Sequence, residues 1–368
     1  MNSMNLSISL PTSTTPIHVA PPVGEKRPLL TPLDQPGHFL LILDNTSLEK
    51  WKRCAVAAKN YLVLRREGHV KTNALVFGGA LHEGLDKFHR HLCAEPAYTG
   101  TEQLLGPESQ DSAIRSYFDN HPHDTDDYRT VDRALQIMAA YRRRAALPDY
   151  ALEILSDEEG PLIERPFELP LGQIHVGQHI PSLNLDVDTV HVAWSGKIDL
   201  VCRIFGTNYI LDHKTSSISG DTFIQSFQIA SQTMGYTWAS RQLWPQHGVL
   251  NFCLNAIYFK KPNVGCTDRT AKGVRGGPPP LDFARHFFNY TEPRLLEWQN
   301  DTLSHIEDFL HCLVRDYFPS NDKQCFDKYG ECPYHVACVE ANPVLRATFL
   351  KSPAFRDVTW NPVDKTTH

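Results

Sequence analysis

The chain reads as an α/β protein with a mixed central sheet flanked by helices. Three observations predict this. Apolar residues recur at helical spacing through the first third of the chain. From Leu162 the period shortens to that of strands. After the strand that carries Asp212, helix and strand patterns alternate again as far as Tyr317.

Taken in order, Asp44 to Arg66 is expected to be a helix, with Ser47 as its N-cap and Trp51, Val56 and Leu62 recurring along it. Thr72 to Leu92 places Leu81, Leu85, Phe88 and Leu92 on one face, with His82, Asp86 and His89 beside them. The polar, acidic interval from Ala94 to Thr130 reads as loops and a short helix, and Thr130 caps the helix "VDRALQIMAAYRRRAA". "LIERPFELPLG", "TVHVAWSGKIDLVCRI" and "NYILDHKTS" are expected to form a mainly antiparallel sheet. "DTFIQSFQIASQTMGYTWASRQLW" reads as one helix, with Gln228, Gln232 and Tyr236 on one face. A strand in "VLNFCLNAIYFKKP" follows, then a loop or lid rich in Gly, Pro and basic residues. Glu292 to Tyr317 is a long amphipathic helix with Leu295, Leu303, Ile306, Leu310 and Leu313 on one side.

The 368 residues can bury a large core, and 41% hydrophobic with 21% charged residues is ordinary for a globular enzyme. No run of about 18 apolar residues suggests a membrane span. The first residues lack the pattern of a secretion signal and read as a flexible leader up to Pro36. A cytoplasmic, reducing setting is therefore expected, in which the nine cysteines are thiols or metal ligands rather than disulfides. The net charge of −6 argues mildly against nucleic acid as a partner, but local basic groups matter more than the sum. Such groups occur at Lys50, Lys52 and Arg53, at Arg142 to Arg144, and at Lys260 and Lys261.

The most informative segments are "SGKIDLV" and "YILDHKTSS". Two apolar strands joined by a tight turn bring Asp199, Asp212 and Lys214 to one edge of a sheet. Two carboxylates hold a hard divalent cation through oxygen, and a lysine beside them can orient an attacking water or stabilise charge on a phosphate. That is phosphodiester-cutting chemistry. The plain alternative is an exposed hairpin ion pair, since Asp-x-Lys is a common tripeptide. The apolar neighbours of both aspartates favour a partnered, buried site.

The order of features resembles the RecB-like branch of the PD-(D/E)XK nuclease superfamily. More narrowly, it resembles the phage-encoded and CRISPR-associated exonucleases that carry a four-cysteine iron–sulfur cluster. Five signals occur in sequence over roughly Ser47 to Cys338: "SLEKWKRC", "GGALH", "GKID", "LDHKT" and "QTMGY", with a closing cysteine group. The resemblance implies a restriction-endonuclease-like core over residues 37–345. That core carries a helical insertion at about 94–150 and a cysteine segment over 325–338, and lies between the leader (1–36) and a tail (346–368).

The resemblance also implies Mg²⁺ or Mn²⁺ held by His82, Asp199, Asp212 and the backbone carbonyl of His213. Lys214 acts on the water or the phosphate, and Gln232 and Tyr236 position DNA or the nucleophile. Glu164 in "LIERPF" falls where relatives often carry an acidic residue, outside the ligand set. Read without the family, His82 is a packed helix histidine and Gln232 and Tyr236 an ordinary helix face. Tyr236, Trp238 and Trp244 could stack bases or belong to the core.

Cys54, Cys325, Cys332 and Cys338 match the positions that bind the 4Fe–4S cluster in the resembled nucleases. The six residues between Cys325 and Cys332 depart from the usual two. His335 between the last two cysteines makes a Cys₃His zinc site a competitor, and buried thiols are the third reading. The implied activity is hydrolysis of single-stranded or free-ended DNA by a metal-activated water. No P-loop is present, so any unwinding falls to a helicase or recombination partner. Three other readings stay open: a catalytically silent or partner-activated DNA-binding module of the same fold, RNA as substrate, and a CRISPR adaptation role in which the nuclease trims new spacers beside an integrase.

Overall fold

The structure, a computed structural model, describes residues 7–10, 28–69, 72–94, 108–121, 127–217, 220–260, 281–327 and 330–358. The basic stretch 264–280, Cys266, most of the leader and residues 359–368 lie outside them.

In chain order the principal elements are β1 (His38–Leu43), α1 (Asn45–Arg53), α2 (Asn73–Ala94), α3 (Glu108–Asn120), α4 (Val131–Ala145), β2 (Ile163–Ile180), β3 (Leu185–Ile204) and β4 (Thr207–Ser216). There follow α5 (Asp221–Gln228), α6 (Ser231–Leu243), β5 (Asn251–Phe259), β6 (Leu281–Phe288), α7 (Glu292–Arg315), α8 (His335–Val339) and α9 (Pro343–Leu350). The architecture is α/β with a mixed sheet flanked by helices. The chain divides into two compact units. One comprises Met1–His69, Pro166–Lys197 and Thr291–His368, the other Val70–Arg165 and Ile198–Tyr290.

In the second unit the end of β3 pairs antiparallel with β4, β4 parallel with β5, and β5 antiparallel with β6. A parallel pair needs a crossover, which α5 and α6 supply. The apolar stripe of α2 buries Val76, Phe77, Ala80, Leu81, Leu85 and Phe88 against Ile114 and Phe118 of α3 and Ala134, Ile137, Met138 and Tyr141 of α4. The second glycine of "FGGALH" serves this packing: at Gly79 the Tyr117 ring leaves no room for a Cβ. Thr130 caps α4 by accepting from the Arg133 N–H at 3.2 Å, as its sequence position predicts.

In the first unit β1 runs parallel to β3, with Leu43 beside Trp194. The apolar face of α7 buries Leu295, Trp298, Leu303, Ile306, Phe309, Leu310 and Leu313. Trp298 meets Trp194 edge-on at 5.4 Å, and both are almost wholly enclosed. Burying side chains of this size contributes roughly 1.5–3 kcal/mol each.

Three local expectations change. The first helix starts at Asn45 with Asp44, not Ser47, as its N-cap; the Asp44 carboxylate accepts the Ser47 N–H at 2.7 Å. It stops at Cys54, which is extended (φ −164°), before a short turn of helix over Ala55–Ala58. The helix expected over 221–244 is two, broken at Ile229 and Ala230, so Gln228 ends one helix while Gln232 and Tyr236 belong to the next.

Candidate active site

The antiparallel ladder between β3 and β4 ends at the pair Leu200–Leu211. One step further, Asp199 and Asp212 fall opposite one another where the two strands part. Beyond that point β4 is paired with β5, out to Ser216 and Tyr258. The parting frees the His213 N–H, and the Asp199 carboxylate takes it at 3.0 Å. Side chains alternate along β4, so Asp212, Lys214 and Ser216 share one face while Leu211 and His213 share the other.

On the first face Asp212 is only 3% exposed. Its Oδ1 accepts from Gln232 Nε2 at 3.1 Å, and its Oδ2 lies 2.6 Å from the Lys214 ammonium. That second oxygen is matched by charge rather than by a well-directed hydrogen bond. Burial pushes the Lys214 pKa down, but Asp212 and Asp199 push it up further, and it ends above the ordinary lysine value. Lys214 is therefore a fixed cation. Tyr236, one turn beyond Gln232 on α6, is 9% exposed. Trp238 and Trp244 are buried too, and the Trp244 indole donates to Asp157 at 3.2 Å, so these rings belong to the core.

At the mouth of the parting strands stands His82 of α2. Its Nε2 is 2.9 Å from the His213 carbonyl and its Nδ1 is 3.3 Å from Asp199 Oδ2. Burial, then the Lys214 charge, lower its pKa, so the ring is held neutral. A neutral ring that donates from Nε2 to a carbonyl presents its Nδ1 lone pair to a carboxylate oxygen, an unfavourable facing that a cation would relieve.

Glu164 completes the setting. One donor atom each from His82, Glu164 and Asp199 lies within 4.8 Å of the others, and all three residues are half-buried. Glu164 has a left-handed backbone (φ +51°), which costs a non-glycine residue about 1 kcal/mol and is characteristic of functional positions. An imidazole and two carboxylates converging in this way fit a hard divalent cation of the Mg²⁺ or Mn²⁺ type. The structure thus brings together His82, Glu164, Asp199, Asp212, His213, Lys214 and Gln232. It moves Glu164 from outside the expected ligand set into the donor group.

The opposite face of β4 is held by residues that sequence reasoning missed. The His213 ring lies 2.8 Å from Asn255 Nδ2, stacks on His89 at 5.2 Å and meets Tyr141 edge-on. The Tyr150 hydroxyl donates to Asn255, and Arg285 covers the Tyr150 ring at 3.8 Å. An asparagine inside the apolar run "FCLNAIYF" was the available signal, because a buried amide needs partners.

Burial, then Arg285, depress the His89 pKa to about 3, against an unfolded value near 6.5. Between those values the unfolded chain binds the extra proton. The resulting stability is full above about pH 6.5 and is lost by roughly 1.4 kcal/mol per pH unit as pH falls towards 3. The urea midpoint should therefore drop between pH 7 and pH 5, and His89→Phe should flatten part of that drop. An unchanged pH slope in the variant would exclude His89 as a source.

The family model described as PD-(D/E)XK nuclease superfamily matches residues 45–339. The chain belongs to this superfamily. A crystal structure from Eubacterium rectale, described as a "Putative exonuclease", is similar at 13% identity and a TM-score of 0.42, over 77% of this chain and 85% of that one. No curated protein matches the chain. Asp199, Asp212 and Lys214, gathered where β3 and β4 part, lie within the matched span.

The four cysteines belong to the first unit. Cys325 and Cys332 flank a small hairpin in which Phe326–Asp327 pairs with Gly330–Glu331, and the Cys332 N–H donates to the Cys325 carbonyl at 2.8 Å. The hairpin accounts for the six-residue spacing: it closes the extra length and returns the chain to Cys325. Cys54, Cys332 and Cys338 share an apolar cluster with Ala57, Tyr334, Ala337, Leu350 and Phe355. Burial first, then the nearby thiols of Cys332, Cys54 and Cys325, raise the Cys338 pKa. His335 is turned to Glu331, with Nδ1 2.6 Å from the carboxylate.

Proposed function

We propose that the protein is a divalent-metal-dependent DNA nuclease that digests from strand ends. The observation that carries this reading is the donor group His82–Glu164–Asp199 beside the Asp212–Lys214 pair, all within one compact unit. A bound Mg²⁺ or Mn²⁺ would supply positive charge for the phosphate and lower the pKa of water. His82, Glu164, Asp199, Asp212 and the His213 carbonyl would hold the ion. Lys214, fixed as a cation, would stabilise negative charge on the scissile phosphate. Gln232 would keep Asp212 oriented, and Tyr236 would support the face of α6 that carries Gln232. End-directed action comes from the family resemblance alone.

The four-cysteine group is proposed to hold a structural 4Fe–4S cluster. Cys54, Cys332 and Cys338 border one apolar cluster and Cys325 adjoins Cys332 through the hairpin, and thiolate ligation suits iron–sulfur centres. His335 has its Nδ1 on Glu331 and keeps Nε2 for a ligand, so a Cys₃His zinc site is the alternative. A reducing, cytoplasmic setting is consistent with the free thiols, and no helix among the described residues is long and apolar enough to cross a membrane.

The test is cleavage of end-labelled linear DNA and of closed circular single strands, with Mn²⁺, Mg²⁺ or chelator. Loss of linear substrate with either metal, none with chelator, and intact circles are expected. Cleaved circles would overturn the exonuclease assignment. Cleavage that persists in chelator would overturn metal dependence. Binding without any cleavage would favour the silent-module reading.

A further inference from the structure

The helix α5 separates the catalytic strand from α6, yet none of its residues is buried. Its half-buried Phe223 and Phe227, one turn apart, meet edge-on at 5.1 Å, and Ile229 just beyond is 68% exposed. Solvating so much apolar surface on one short helix is costly and calls for an occupant.

The rings continue onto the sheet. Phe223 lies 5.7 Å from Tyr258, and Tyr258 lies 6.4 Å from His286, to which its hydroxyl is hydrogen-bonded at 3.2 Å. Tyr258 is the register partner of Ser216, two residues past Lys214. In a parallel pair such partners share a face, so Tyr258 stands on the face that carries Asp212 and Lys214. The file of rings therefore begins one step beyond the catalytic lysine and runs outward to α5. Lys260 stands exposed just past the end of β5, a cation for a backbone phosphate.

We propose that Phe227 and Phe223, backed by the buried ring of Tyr258, form a base-stacking track for an unpaired DNA strand leading to the active site. The choice of DNA as occupant rests on the nuclease reading above. The choice of an unpaired strand rests on the rings. Every base presents a π-face to an aromatic side chain once it is unstacked, and a duplex hides those faces. Tyr258, the register partner of Ser216, seats Phe223 beside the strand that carries Lys214, and because Tyr258, Tyr236, Trp238 and Trp244 are all buried, the stacking faces are those of the half-buried Phe223 and Phe227.

The experiment is fluorescence anisotropy of a labelled single-stranded oligothymidylate and of a duplex, in chelator at fixed salt. The proteins are wild type, Phe223→Ala, Phe227→Ala, Phe227→Leu and Phe227→Trp. Stacking on one ring predicts about five- to hundredfold weaker single-strand binding for Phe227→Ala and Phe227→Leu, near-normal binding for Phe227→Trp, and unchanged duplex binding. The leucine variant keeps apolar bulk, so unfolding does not confound it, and a thermal melt checks this. Wild-type-like single-strand binding by Phe227→Leu, or equal losses for single strand and duplex, would overturn the track. Because binding is read without metal, the track and the nuclease fail separately. A wild type that never cleaves yet binds single strands through Phe227 sinks only the nuclease, and the converse sinks only the track.

Discussion

Replacing Lys214 with alanine should slow DNA cleavage by about two to three orders of magnitude while leaving Mn²⁺ affinity within a few-fold of wild type. The geometry separates the two effects. Lys214 lies against Asp212 Oδ2, one of the proposed ligands, whereas the donor atoms of His82, Glu164 and Asp199 converge with one another and keep most of the ligand set when Lys214 is lost. Its ammonium is held protonated by two carboxylates, so its contribution is fixed positive charge close to where charge builds on phosphate. Removing it also leaves Asp212, 3% exposed, with the Gln232 hydrogen bond alone, so some loss of stability accompanies the loss of rate. A thermal melt and a Mn²⁺ titration on the same sample distinguish the two. Near-normal turnover with intact folding would remove Lys214 from the mechanism.

Cys332→Ser should abolish visible iron–sulfur colour in protein purified without oxygen and lower the unfolding midpoint by roughly 5 °C or more. A ligated metal centre contributes folding free energy directly. Cys332 is the pivotal position because it joins two pieces of local structure. Its N–H closes the hairpin onto the Cys325 carbonyl, and its side chain lies in the apolar cluster with Cys54 and Cys338. Cys312→Ser is the control, a half-buried thiol on α7 outside that cluster. Equal melts for the two variants, with colourless wild type, would replace the cluster with free thiols. Zinc in the wild type by elemental analysis would replace it with a mononuclear site.

Much of the site could be read from residues. The apolar runs around Asp199 and Asp212 and the short turn between them, which closes over Phe205 and Gly206, force two paired strands, and a shared register follows. The helical spacing of Leu81, Leu85 and Phe88 fixes where His82 sits on α2. What escaped was decided by tertiary contacts. Nothing local marks the break at Ile229 and Ala230, which lacks proline and glycine, yet it separates α5 from the helix that carries Gln232. The left-handed turn at Glu164 brings its carboxylate into the donor group, and no propensity predicts that conformation for glutamate. The partners of His213 come from α2, α4 and β5, far apart in sequence. The hairpin between Cys325 and Cys332, by contrast, could have been inferred from "FDKYGE", where a glycine follows a short polar turn.

The most direct test of the central claim is one cleavage assay on end-labelled DNA with Mn²⁺, comparing wild type with Asp212→Ala at matched folding. The account predicts metal-dependent loss of label by the wild type and none detectable by the variant. Equal cleavage by both proteins would contradict it and place the chemistry away from the junction of β3 and β4.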